Sequence, residues 1–395
     1  MRALFRDRDF LRLWISGLCV FVVRWLETLA VGVFAYAATG SAFVVAMLTM
    51  LRLLPMGLFG AFLGAAADRM DRRQALLLVV LSQAATSAAI AALAFADAVA
   101  VWHLAVASFM NGVAWAADNP VRRAMIGQVV GPSRMGVAMS VDVATSNGSR
   151  VLGPTLGGLL LATVGLDGAF LLSVAIYAPA VLAVLRLPRT PPAPGAVTLP
   201  VLASIAEGLA LVRREPRLVG ALTVTLLFNL FGWPCTSMVP VIGTDRLALG
   251  PEGVGLLAGM DGVGAFLGAL AIALLARPAH YKAIYLGGIT LYLAMTVAFA
   301  LATTPLLAGA ALLLTGVGGA GFAIMQPTLI FLATPAEMRS RILGLLSVCI
   351  GLGPIGFLAL GGLAELAGAP AATAMMALTG LVALALARRW WRHIT

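Results

Sequence analysis

Residues 42–95 read AFVVAMLTMLRLLPMGLFGAFLGAAADRMDRRQALLLVVLSQAATSAAIAALAF. Two apolar runs, each longer than the roughly 20 residues that cross a hydrocarbon core, flank a short cationic turn carrying Arg69, Arg72 and Arg73. The chain repeats this pattern from end to end. Of its 26 basic residues, most gather at alternate turnarounds. They are Arg2, Arg6, Arg8 and Arg12 at the N-terminus, the turn just quoted, Arg122/Arg123/Arg134, Arg186 to Arg217 at mid-chain, Arg277/Lys282, Arg339/Arg341, and Arg388/Arg389/Arg392 at the C-terminus. The intervening turnarounds, near residues 39–41, 97–99, 165–168, 244–252, 303–305 and 368–370, carry Arg246 as their one cation. Cationic loops stay on the cytoplasmic side. The pattern therefore predicts twelve transmembrane helices with both termini cytoplasmic.

Composition agrees. The chain is 61% hydrophobic and 11% charged, more apolar surface than a soluble fold of this length can bury. A net charge of +10 could suggest nucleic acid, but the cations are dispersed among membrane-edge clusters, where they meet anionic lipid. Cys19, Cys235 and Cys349 lie in different apolar runs, and His103, His280 and His393 are scattered. That spacing offers no metal site and no disulfide framework. The charged start, Arg6-Asp7-Arg8-Asp9, leads into an apolar run without a small-residue cleavage site, so it reads as the first span and not as a removable signal.

The expected spans are Leu11–Ala38, Ala42–Ala67, Gln74–Phe95, Ala100–Ala124, Met135–Val164, Gly168–Leu187, Leu218–Gly243, Gly253–Ala276, Tyr281–Ala302, Leu306–Leu332, Ile342–Ala367 and Ala371–Ala387. Lipid demands internally satisfied backbone, so each is a helix. The stretch between spans six and seven differs from every other connection. It holds Pro188, Pro191, Pro192, Pro194 and Pro200, then a basic piece ending Val212-Arg213-Arg214-Glu215-Pro216. It reads as a linker with an interfacial helix. The expected division is a six-helix half at 1–187, a linker at 188–217 and a second half at 218–395. A shift of 207 places Asn119-Pro120 on Gln326-Pro327, Arg134 on Arg341 and Ser140-Val141 on Ser347-Val348. Gly-Pro steps follow in both halves, at Gly153-Pro154 and Gly353-Pro354. Parallel repeats of this kind are an arrangement of secondary transporters.

Two motifs carry a family resemblance. Gly64-Ala-Ala-Ala-Asp68-Arg69-Met-Asp71-Arg72-Arg73 resembles the signature loop of the major facilitator superfamily, with Asp71 where that loop usually has a second Gly. Gly148, Gly153, Pro154, Gly157 and Gly158 in span five resemble the glycine motif of its antiporter branch, a flat face for close helix contact. The stretch from Asn119-Pro120 through Gly153-Pro154 also looks like the branch of enterobactin-type siderophore and macrolide exporters. The resemblance covers the whole chain. It implies a major facilitator fold, alternating access and export from a bacterial-type cytoplasmic (inner) membrane. The implied cargo is a small amphiphilic or hydrophobic molecule in a cavity formed mainly by spans one, four, five, seven, eight, ten and eleven. No nucleotide-binding Gly-x-x-x-x-Gly-Lys-Ser/Thr is present, which points to protons as the energy source, with no cofactor, no enzymatic activity and a monomeric carrier. An uptake carrier of the same fold and a non-transporting receptor are the alternatives.

Charges inside the spans are the remaining signal, because they are costly in lipid and mark pathways or partners. They are Arg24 and Glu27 in span one, Arg52 in span two, Asp142 and Arg150 in span five and Asp261 in span eight, with Asp118 near the cytoplasmic end of span four. Glu27 and Arg52 both lie about 12 residues, roughly 18 Å, from the first hairpin turn. The expectation is an ion pair with Arg24 one turn away, serving as a structural or gating network. Asp261 sits in a glycine-rich helix without a charged neighbour in its own span. It is either a proton-coupling acid or a solvated one. Asp118 is expected to latch the signature-loop arginines. Asn229, Trp233 and Pro234 suggest a broken seventh helix lining the pathway, with Trp25, Trp115 and Met110 as further lining or packing residues.

Overall fold

In the computed structural model, residues 2–68, 70–131, 134–189, 209–335 and 338–394 are described. Among them every regular element is a helix. Span one is Arg8–Thr39, two Ala42–Asp68, three Arg72–Phe95 and four Val101–Val130. Met135–Leu185 is one helical run broken by Gly165 (φ 72°, ψ −171°), which divides it into spans five and six. Span seven is composite. Pro216–Leu227 is α-helical, Phe228–Gly232 a π turn, Trp233–Met238 a 3-10 stretch and Val239–Asp245 α-helical again. Span eight is Pro251–Leu275, nine Tyr281–Leu301 and ten Pro305–Ala333. Span eleven is Arg339–Gly351 plus Gly353–Ala367, and span twelve is Ala369–Leu386. Among the described residues, ten helical runs are long and apolar enough to cross a membrane. One of them holds spans five and six, and the more charged span four completes the twelve.

Local chemistry explains the ends. Prolines sit in the first turn of spans seven, eight, ten and twelve, where the missing N–H costs nothing. Gly165 and Gly368 turn the chain between spans five and six and between eleven and twelve, both with positive φ that other residues resist. Asp71, at the position of the usual signature-loop glycine, caps span three instead by accepting from the Gln74 N–H at 3.2 Å. Span four runs to Val130, beyond the expected Ala124. The reason is Arg122, which is 1% exposed and ion-paired inside the protein. It is no headgroup anchor. The Gly-Pro step of span five lies within continuous helix, whereas that of span eleven follows an interruption at Leu352.

The chain forms two compact units. Met1–Ala35 with Leu51–Val197 is the first, and Tyr36–Met50 with Thr198–Thr395 the second. The first unit has an aliphatic and aromatic core around Phe10, Leu13, Leu76 and Tyr177. The second stacks Phe228 on Phe322 with centroids 3.9 Å apart, and Tyr285 on Phe322 at 5.5 Å. There the helices approach closely at glycine. A Cβ on Gly268 would lie 3.0 Å from the Val317 carbonyl oxygen, and one on Gly288 2.7 Å from that of Gly318. Leu275, Leu306, Leu366 and Leu386 are each more than two-thirds exposed, an outer surface suited to acyl chains and not to water.

Candidate functional site

The site is assembled inside the first unit. Helical spacing puts Arg24 and Glu27 on one buried face of span one. Asp118 and Arg122 lie one turn apart on span four, and Asp142 enters from span five. Arg122 binds both acids. Its Nη2 donates to Asp118 Oδ2 at 3.0 Å, and its Nη1 to Asp142 Oδ1 at 2.5 Å. Arg24 Nη2 reaches Asp118 Oδ2 at 3.4 Å, and Arg123 Nε approaches Asp142 Oδ2 at 3.8 Å. Aromatic faces complete the enclosure: Phe21 lies 4.1 Å from the Arg122 guanidinium and Trp115 4.7 Å from that of Arg24. Gly17 leaves the space Arg122 needs, since a Cβ there would sit 2.6 Å from Nη1. The buried acids Asp118 and Asp142 are balanced by the buried bases Arg24 and Arg122. Removing any one strands another charge away from water.

Glu27 stands apart from that balance. Its Oε1 accepts from Ser87 Oγ of span three at 2.5 Å and its Oε2 from Asn111 Nδ2 of span four at 3.2 Å. Arg52 is near enough to attract Glu27, but among the described residues the two do not make the expected direct ion pair. Arg52 Nη2 donates instead to the Arg24 carbonyl at 3.0 Å, so equal depth along two helices brought Arg52 to the backbone of the helix and not to the carboxylate. Asp118 is likewise engaged by Arg24 and Arg122 and not by Arg72 or Arg73. Arg73 donates to the Leu185 carbonyl at 2.5 Å. Arg69 and the side chains of Gly64 and Asp68 lie outside the described residues.

The other expected residues are dispersed. Arg150 of span five lies over Trp25, 5.3 Å from the ring centroid. The glycine motif does pack span five on span one: a Cβ on Gly153 would sit 2.5 Å from Trp25 Cβ, and one on Gly157 2.7 Å from the Leu26 carbonyl oxygen. Gly148 faces open space. Pro154 and Gly158 are buried. Asn229 donates to the Thr225 carbonyl at 2.8 Å at the start of the π turn, and Trp233 begins the 3-10 stretch, so span seven is broken as expected. Met110 is exposed. Asp261 is half-buried, and its backbone carbonyl abuts Gly316. At the end of the second unit where span seven meets span eight and span eleven meets span twelve, Tyr36 donates to Asp245, and Ser41 Oγ donates to Glu365 at 2.5 Å. A cavity of about 300 Å³ lies between them. Arg246 turns away to the carbonyls of Leu301 and Ala302. Ser87 and Asn111 were missed by the sequence reading because they are uncharged. Hydroxyl and amide side chains recurring within spans three and four were the available signal.

The family described as transmembrane secretion effector matches residues 2–392. The multidrug efflux pump Tap of Mycolicibacterium fortuitum is 31% identical over 88% of this chain and 88% of its own length. Macrolide efflux protein A of Streptococcus pyogenes is 23% identical over 60% of this chain and 59% of its own. A crystal structure of a mutant of the nucleoside transporter NupG superposes with a TM-score of 0.77 at 14% identity, covering 97% of this chain and all of that one. That likeness establishes the major facilitator fold.

Proposed function

Because the chain belongs to the transmembrane secretion effector family, a group of multi-pass membrane transporters, we propose that it exports small amphiphilic or hydrophobic molecules by alternating access, driven by inward proton flow. The observation that carries the reading is the charge-balanced cluster of Arg24, Asp118, Arg122 and Asp142 buried in spans one, four and five. Such a cluster is costly in a membrane unless it serves a pathway or a switch. Its arginines and acids are fixed by one another, which suits a part that must rearrange between discrete states. Two relatives are efflux proteins by name, and this supports export over uptake.

The proposal includes a working organisation. Residues 1–187 and 218–395 act as six-span halves joined by a cytoplasmic linker at 188–217. The carrier works as a monomer in a bacterial cytoplasmic membrane with both termini cytoplasmic. Arg24, Glu27, Arg52, Asp142, Arg150, Asn229, Trp233 and Asp261 belong to the substrate and proton pathway. Asp68 of the signature loop holds one conformational state through a helix end. The test is transport by purified protein in liposomes, using a fluorescent lipophilic amine and a macrolide as probes. Export should follow an imposed proton gradient and collapse with a protonophore. Transport unaffected by the gradient would sink the coupling, and accumulation in the opposite direction would sink export.

A further inference from the structure

Among the described residues the buried acids are Glu27, Asp118 and Asp142. Asp118 and Asp142 both bind Arg122, itself 1% exposed. Neutralising either would leave a buried guanidinium short of its counter-ion. Glu27, also 1% exposed, binds a hydroxyl and an amide. Its nearby cation, Arg52, attracts it without a direct ion pair and keeps its own bond to the Arg24 carbonyl, so a change of charge at Glu27 breaks no direct contact with a cation.

The surroundings of Glu27 accommodate both charge states without moving backbone. Ser87 Oγ lies 2.5 Å from Glu27 Oε1 and 3.0 Å from the Gln83 carbonyl oxygen. With Glu27 ionised, the hydroxyl donates to Oε1. With a proton on Oε1, the carboxyl donates to Ser87 Oγ and the hydroxyl hydrogen swings to the Gln83 carbonyl. A hydroxyl is both donor and acceptor, so one rotor serves the two states. Asn111 Nδ2 donates to Oε2 in either state. The groups facing Glu27 come from spans two, three, four and six. Arg52 of span two is the nearby cation, and its bond to the Arg24 carbonyl survives when Glu27 becomes neutral. Ser173 and Tyr177 face it from span six. Arg24, one turn back, is occupied by Asp118.

We infer that Glu27 is the residue that takes up and releases the coupled proton, and that the Ser87 hydroxyl reverses its hydrogen bond with each change. The proton comes from water to Oε1 and later returns to water. No other bond to hydrogen is made or broken, since the Ser87 hydrogen stays on its own oxygen. The assignment to coupling rests on the export reading above, while the titration of Glu27 does not.

Infrared difference spectroscopy of the purified protein in lipid nanodiscs, between acid and neutral pH, tests it without substrate. A carboxyl C=O band should appear on acidification, persist in Asp261→Asn and vanish in Glu27→Gln. Ser87→Ala should move the band to higher frequency and its midpoint to higher pH, because a charged acceptor loses the stronger bond. Glu27→Asp should retain a titrating band at a shifted midpoint. A band that survives Glu27→Gln, or that ignores Ser87→Ala in both frequency and midpoint, overturns the inference. If Glu27→Gln does not fold, the Ser87→Ala band decides alone. Liposomes that fail to export while the Glu27 band titrates would reject the export reading and spare the proton site.

Discussion

The two units solve the problem of polarity inside a membrane protein in opposite ways. The first buries Arg24, Glu27, Arg52, Asp118, Arg122 and Asp142. The second buries uncharged groups: Tyr285 donates to the Ala221 carbonyl at 2.9 Å, and Gln326 donates to Thr225 Oγ1 at 3.0 Å. Gln326 is the residue that the internal repeat aligns with Asn119, one turn from the Arg122 cluster. The same location is therefore ionic in one half and neutral in the other. Neutral hydrogen bonds hold helices together at modest strength, and double-mutant cycles in membrane proteins place them near 0.6 kcal/mol on average. Buried ion pairs are mutually dependent, and their partners cannot be removed singly. The contrast fits the proposed reading, in which the first half switches and couples and the second is a scaffold.

Arg122→Leu is the harshest way to break that comparison. It removes the shared partner of Asp118 and Asp142 and leaves Phe21 with Arg24 alone, 5.4 Å from its ring. Loss of one partner of a buried pair costs about 3–5 kcal/mol, so the variant should melt well below wild type or fail to accumulate. The double change Arg122→Leu, Asp142→Asn, which keeps the Arg24–Asp118 pair, should recover much of the loss. A single variant with wild-type melting would show that the cluster contributes nothing to the fold.

The contrast also explains what could be read from the chain beforehand. Span number and order were legible because twenty-residue apolar runs and the sidedness of arginine are properties of segments. The composite seventh span was legible from Asn229, Trp233 and Pro234. Pairing was less so. Glu27 and Arg52 do lie on adjacent helices, but their depth says nothing of azimuth, and a backbone carbonyl of Arg24 took the guanidinium. Arg122 looked like a headgroup anchor because it adjoins Arg123, and only the packing separates them, at 1% and 53% side-chain exposure. Ser87 and Asn111 carry no charge to draw notice, and their importance arises from what span one brings against them.

A second test asks whether the halves remain alike where they are packed by glycine. Gly153 of span five abuts span one, where a Cβ would sit 2.8 Å from the Val22 carbonyl oxygen. Gly356 of span eleven abuts span seven, where a Cβ would sit 2.8 Å from Pro234 Cγ. Overpacking of this kind costs about 1–3 kcal/mol, so Gly153→Val and Gly356→Val should lower melting temperature comparably. Gly148→Val, with open space at its Cβ, should not. Unequal losses at Gly153 and Gly356 would confine the structural repeat to backbone topology.

Gln326→Leu probes the neutral half directly. It deletes one hydrogen bond to Thr225, while Thr225 keeps its contact with Tyr285. The expected cost is about 1 kcal/mol, with the pH profile of transport unchanged. Asn111→Leu in the first half removes a donor to Glu27 and should move that profile. A profile shifted equally by both substitutions would erase the functional distinction between the halves.

The mildest change expected is Asp261→Asn, and it bears most closely on the division of labour. Asp261 is the acid deep within a span of the second half, and its sequence position made it a coupling candidate. The structure leaves the residue half-buried, outside the buried ion cluster of the first unit. Its backbone, not its carboxylate, makes the close approach to span ten, with the Asp261 carbonyl against Gly316, and the substitution leaves that contact intact. Gradient-driven export by Asp261→Asn should therefore stay within about twofold of wild type, while Glu27→Gln should lose the gradient dependence and retain substrate exchange, which moves no net proton. The opposite result, with Asp261→Asn uncoupled and Glu27→Gln coupled, would place the proton in the neutral half. The buried ion cluster would then be a conformational clamp, and the carboxylate beside Ser87 a structural hydrogen-bond acceptor.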